Sequence, residues 1–205
     1  MGAAGGLQIR VRAGRGSKVR AALRQGMAGM LLLLPAAAAI AQATPSDYDV
    51  KAAYLYNFGK FMRMQGGQAA ARRATFDICI LGHDLIGHVL DDIAANQSIG
   101  ERPVRVLRVA DAYAARGCDV VFISPDEGDG IPLDLAALGK ADVLTVSDAP
   151  EFLKYGGMIQ FVMQEDRVRF AVNLDAVCRT HLVLSSELLR VALSVSGRPP
   201  AEDQP

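Results

Sequence analysis

Three histidines, three cysteines and a scatter of hydroxyls and carboxylates are the residues through which this chain could do chemistry. His83 and His88 lie five residues apart, a spacing that does not align two ligands on one helix face. His181 is remote from both. No His-Glu-x-x-His, Cys-x-x-Cys or carboxylate cluster accompanies them, so the spacing does not describe a metal site. No Gly-x-Ser-x-Gly elbow is present, and neither dinucleotide nor P-loop glycine spacing follows a strand. Without a nucleophile–base pair, the chain reads as a non-enzyme with no cofactor. Cys79, Cys118 and Cys178 remain. In an exported protein a geometrically compatible pair forms a disulfide. Cys79 falls inside one predicted strand and Cys118 at the start of another, so their sulfurs can meet if those strands are adjacent. The alternative is two buried thiols.

The elements that must position these residues follow from the hydropathy pattern. Segment 46–64 reads as a helix capped by Ser46 or Asp47. Val50, Tyr54, Phe58 and Phe61 fall on its apolar face, with Lys51, Asn57 and Lys60 largely off it. A loop is expected over 64–74. Strands are predicted over 75–81, 102–109, 118–124 and 142–148, with helical segments over 82–95, 111–117 and 132–140 between them. That alternation predicts an α/β fold: a single three-layer domain whose mostly parallel sheet has about four strands flanked by helices. Two β-rich runs over 156–173, joined by Gln-Glu-Asp, add a C-terminal antiparallel hairpin. A terminal helix over 174–194 follows, with a break expected over 180–186.

In a parallel α/β sheet, ligands collect at the carboxyl ends of the strands. Here those ends supply His83 and Asp84, Ser124 and Asp126, and Ser147 and Asp148, a candidate small-ligand crevice. The simpler reading is helix capping, since Asp and Ser are good N-cap residues. The hairpin offers a candidate partner surface: Met158, Phe161, Met163, Arg167, Arg169 and Phe170. Aromatic, Met and Arg side chains are enriched in interfaces, and a hairpin at a sheet edge leaves backbone groups unpaired. The alternative is that the apolar members face the core and the arginines are merely solvated.

Residues 1–26 carry six basic side chains and no acidic one. Residues 27–40 are apolar, and Ala-x-Ala sites end at Ala41 and Ala43. This is the pattern of a secretory signal peptide over 1–43. Its roughly 14 apolar residues, interrupted by Pro35, are too few to cross a ~30 Å hydrocarbon core. Removing it takes six of the 22 basic residues and none of the 22 acidic ones, leaving a net charge near −6. An acidic chain argues against nucleic acid as a partner. No later apolar run is long enough to span a membrane. The domain is expected over 44–195, with a tail disordered by composition over 196–205.

The order of several blocks is familiar: Tyr-Asp-Val-Lys-Ala-Ala-Tyr-Leu-Tyr-Asn-Phe-Gly-Lys-Phe (48–61), Ile-Cys-Ile-Leu-Gly (78–82), Gly-Glu-Arg-Pro-Val-Arg-Val-Leu-Arg-Val (100–109), Gly-Cys-Asp-Val-Val-Phe-Ile-Ser (117–124), Leu-Thr-Val-Ser-Asp (144–148), Gly-Gly-Met-Ile-Gln-Phe-Val (156–162) and Arg-Val-Arg-Phe-Ala-Val-Asn-Leu-Asp-Ala (167–176). Together they resemble the YfiR family of periplasmic proteins. Where that family commonly carries Trp-Pro after the first helix, this chain has Met64-Gln65 and no tryptophan. The resemblance implies a periplasmic repressor that binds the sensory domain of a membrane-bound diguanylate cyclase and restrains cyclic di-GMP output and biofilm growth. Relatives next to sensor kinases make a small-molecule sensor or binding protein the alternative. A homodimer stays open. The resemblance also implies a Cys79–Cys118 disulfide. Cys178 is left over and reads as a packed core thiol rather than a reactive one or an intermolecular link.

Overall fold

The computed structural model describes residues 45–65 and 73–197. The segment read as a signal peptide and the tail beyond 197 lie outside the described residues, as does most of the loop expected over 64–74. Chain entry is set by a reciprocal cap. The Ser46 hydroxyl accepts from the Asp49 amide, and the Asp49 carboxylate accepts from the Ser46 amide. Two of the orphan donors at the start of α1 (Asp47–Lys60) are thereby satisfied.

The strands are β1 (Met62–Met64), β2 (Phe76–Leu81), β3 (Ser98–Ile99), β4 (Arg102–Val109), β5 (Val120–Ile123), β6 (Leu144–Ser147), β7 (Ile159–Gln164), β8 (Arg167–Asn173), β9 (Leu182–Leu184) and β10 (Ser194–Ser196). The helices after α1 are α2 (His88–Ala94), α3 (Ala112–Ala115), α4 (Ile131–Leu138), α5 (Leu174–Val177) and α6 (Ser186–Val191). A 3-10 turn, Pro125–Gly130, leads into α4. Among the described residues no helix is long and apolar enough to cross a membrane.

Among the described residues, eight strands form the main sheet in the order β10-β8-β7-β6-β5-β2-β4-β3. This is larger than the expected four strands plus a hairpin. The pairs β2–β4, β2–β5, β5–β6 and β6–β7 are parallel. The pairs β7–β8 and β3–β4 are antiparallel. The first strand of this sheet, β2, is central, with β4 on one side and β5 on the other. That makes β2 the topological switch point of a doubly wound order.

β2, β5 and β6 are buried along their whole length, and their side chains alternate between the two faces. Ile78, Ile80, Val120, Phe122, Leu144 and Val146 pack with Leu55 and Phe58 of α1 and Leu90 of α2. Cys79, Leu81, Val121 and Ile123 pack on the other side with α3, α4 and Phe152. α1 packs the predicted Val50, Tyr54 and Phe58 against the core but buries a broader face than the period predicts. Lys51, Ala52, Leu55, Tyr56, Phe58 and Gly59 are buried, whereas Phe61 is exposed. The expected terminal helix breaks into α5 and α6, and the break is the strand β9, paired antiparallel with β1. The chain then ends its described part as β10, parallel to β8.

Candidate functional site

The carboxyl ends of β2, β5 and β6 do bring the sequence-predicted polar residues to one end of the sheet. After β2 the chain reverses at Gly82, whose φ of +86° favours glycine. A Cβ there would lie 2.3 Å from the Glu127 carboxylate. His83 follows, exposed, with Nδ1 3.3 Å from Asp126 Oδ2. Asp84 is drawn away from the crevice: its carboxylate accepts from the Gly87 amide at 2.8 Å and from Arg108 Nε at 2.8 Å. Ser124 is buried and caps the 3-10 turn, accepting from the Asp126 amide at 3.3 Å. Ser147 is buried too. It donates to the Ile123 carbonyl at 2.7 Å and accepts from the Ala149 amide at 3.0 Å, tying the end of β6 to the end of β5.

Asp148 meets a residue that the periodicity placed off the core face. The Lys51 ammonium of α1 forms an ion pair with its Oδ2, both side chains being largely buried. The same ammonium sits 4.1 Å from the centroid of the Tyr48 ring. Asp148 Oδ1 is buried without a hydrogen-bond partner among the described residues. Burial, and then the negative charge of Asp148, push the Tyr48 phenol above its ordinary range. Lys51 was legible as a core position only through its row: 51, 55 and 58 repeat at i, i+4 and i+7. Its charge hid that. Chemically, the cluster is a set of caps and ion pairs. Both serine hydroxyls are held by backbone groups rather than by a base.

The hairpin divides its candidate residues between two environments. Met158, Phe161 and Phe170 are buried. Phe161 and Phe170 pack on α1, with Phe58 5.8 Å from Phe161 and 5.1 Å from Phe170 between ring centroids. These three residues belong to the core and offer nothing to a partner. Met163 and Arg167 are exposed and Arg169 is half-buried. The expectation that the hairpin is a free sheet edge is corrected at one end. β10 covers β8 over Ala171–Asn173, so only the outer part of the ribbon stands clear.

Cys79 and Cys118 are joined in a disulfide, with their Cα atoms 6.1 Å apart. Parallel pairing of β2 with β5 brings them together. Cys178 is exposed rather than packed in the core as expected. It follows the single helical turn of α5, which the sequence had extended into a long amphipathic helix.

Comparison with known proteins places these features in context. A family model described as YfiR/HmsC-like matches residues 48–193. A solved crystal structure of a conserved domain protein from Vibrio cholerae O1 biovar El Tor str. N16961 is 12% identical, with a TM-score of 0.46, covering 58% of this chain and 54% of that one. The chain thus spans about half the length of that structure. A search of curated proteins finds no match.

Proposed function

The chain belongs to the YfiR/HmsC-like family, and from that premise we propose that it is a periplasmic signalling regulator. In this reading it is exported by the leader in 1–43. It binds the periplasmic sensory domain of a membrane-bound diguanylate cyclase and holds the cyclase inactive, so that its release raises cyclic di-GMP. The observation that carries the reading is the family match over residues 48–193. The site chemistry supports binding rather than catalysis, because the polar groups at the strand ends are engaged with one another and with backbone.

The contact surface we assign to the partner is the outward part of the hairpin: Met163 at its tip, with Arg167 and Arg169 beside it. The exposed Met163 and Arg167, with the half-buried Arg169 beside them, lie next to an open ribbon edge and suit a protein partner. Two measurements test this. Deleting the gene should raise cellular cyclic di-GMP, and the purified chain should co-elute with the periplasmic domain of a diguanylate cyclase from the same cell. Unchanged cyclic di-GMP together with no complex rejects the reading. Capture by the sensor domain of a kinase instead would move the chain to the sensor class. Arg167→Glu, at the exposed position, should shift stability by less than about 0.5 kcal/mol yet weaken the complex at least about tenfold, the scale of one charge-assisted contact. A folded Arg167→Glu chain with full affinity would place the interface elsewhere.

A further inference from the structure

We infer that two copies of the chain pair through β10, edge to edge about a twofold axis at Val195, independently of the partner assigned to the hairpin. β10 is the outermost strand of the main sheet, and among the described residues no strand pairs with its outer side. It continues the core layer that α1 covers. Val195 stands in register with Val172, and the Leu193 amide donates to the Phe170 carbonyl at 2.7 Å. Phe170 and Val172 are buried in that layer, and strand neighbours in register point to the same face. Yet Leu193 is 39% and Val195 41% exposed. The apolar layer therefore runs one strand past its cover.

The two edges of the sheet are finished differently. Sheet edges are commonly protected by charge or proline. At the far edge, Glu101, Arg102 and Pro103 lie at and beside the β3–β4 turn. At this edge, residues 191–197 read Val-Ala-Leu-Ser-Val-Ser-Gly, with no charge and no proline. Residues 198–205, Arg-Pro-Pro-Ala-Glu-Asp-Gln-Pro, follow directly and carry no large apolar side chain to lay over Leu193 and Val195. An uncharged edge is what a second copy requires. A twofold axis sets each residue near its own image, where a charge would meet itself.

The ladder selects the axis. The Asn173 amide donates to the Met158 carbonyl at 2.9 Å, on the β7 side of β8. Backbone groups alternate in direction along a strand, so those of Val172 face β10. In the parallel ladder Val172 then bonds the residues flanking its register partner, Ser194 and Ser196. The N–H and C=O of Val195 are left pointing out of the sheet. In antiparallel pairing about a twofold, Val195 lies opposite Val195 of the partner subunit and the two exchange both hydrogen bonds. Their side chains meet beside the axis and carry the apolar layer from one copy into the next. The contact is short, so the dimer is a weak, concentration-dependent one.

The test is sedimentation equilibrium of the purified chain up to about 1 mM, with amide hydrogen exchange read at Val195. A reversible monomer–dimer equilibrium is expected, with exchange at Val195 slowing as concentration rises. Val195→Pro removes an N–H that β8 does not use, so circular dichroism should stay unchanged. It should weaken the dimer at least about tenfold, the scale of two lost hydrogen bonds. Val195→Lys keeps the N–H but sets like charges across the axis. It should weaken the dimer as well, and it keeps the test intact if the proline variant misfolds. A monomer at every concentration, a dimer of full affinity in both variants, or exchange at Val195 independent of concentration would each overturn the inference. Protection at Val195 that appears only on adding a cyclase sensory domain would overturn it too, assigning the edge to that partner.

Discussion

At the scale of single residues, the Lys51–Asp148 pair is the least expected feature. Only 9% and 13% of the two side chains are exposed. Burying two charges costs several kcal/mol per ion, and mutual attraction offsets that only while both partners are present. Lys51→Ala would leave Asp148 ionised, with one oxygen already lacking a hydrogen bond. It should destabilise the fold by about 3–5 kcal/mol in urea unfolding. The double variant Lys51→Met/Asp148→Leu should recover most of that loss. A single variant as stable as the parent would show that water reaches the pair. A second residue-scale prediction concerns acid. Arg105 donates two hydrogen bonds to Asp77, both at 2.8 Å, and holds that carboxyl below its ordinary value. A carboxyl depressed by folding contributes stability above its unfolded pKa of about 3.9, lost as pH falls through the folded value. Thermal melts of Arg105→Gln should therefore lie below the parent at pH 7 and converge with it in acid below about pH 4. A gap that persists unchanged there would assign the effect of Arg105 to packing. Neither pairing was legible in the sequence. An ion pair between residues 97 apart leaves no local pattern.

Among the elements, those with a strong period were legible and those without one were not. β4 has the bounds its sequence predicts, Arg102–Val109, because a long β-rich run states its own length. β3, β9 and β10 are two or three residues long, too short to show alternation. Leu182–Leu184 is apolar enough to pass for part of a helix; pairing with β1 across the fold decides otherwise. The strand-end crevice was legible as a gathering of residues because parallel strands put their carboxyl ends together. Its use was not, because hydroxyls and carboxylates that cap and those that bind ligands are the same residue types. The hairpin turn carries a testable imperfection. Glu165 and Asp166 both have left-handed φ, +50° and +56°, as a two-residue hairpin loop of the mirror-image type requires. Glycine adopts that backbone without a Cβ penalty, so Asp166→Gly should stabilise the protein by about 0.5–1 kcal/mol, raising the melting temperature. A loss of stability would mean that the Asp166 side chain, or the stiffness it gives the unfolded chain, matters more than the strain.

At the scale of the whole molecule, the switch point and the disulfide coincide. The strand at which the winding direction reverses, β2, is bonded through Cys79 to Cys118, two residues before β5. The sulfurs lie in the core cluster that α3 and α4 cover. The intervening chain contains α2, β3, β4 and α3, so the bridge closes all of them into one loop and ties β2 to the entry of β5. The two cysteines are 39 residues apart. Closing a loop of that length removes about 4 kcal/mol of unfolded-state entropy in the chain-entropy model. Against a typical total of about 5–15 kcal/mol for a domain, that is a large share, so the state of this bond should set whether the chain is robustly or marginally folded. Cys79→Ala/Cys118→Ala, unfolded in urea beside the oxidised parent, should lose about 3–5 kcal/mol without changing its folded-state circular dichroism. Reducing agent should move the parent to the same midpoint and leave the double variant where it is. If the variant and the oxidised parent unfold at the same urea concentration, strain in the bridge cancels the entropic gain. The packing of β2 against β5 would then hold the switch point without it.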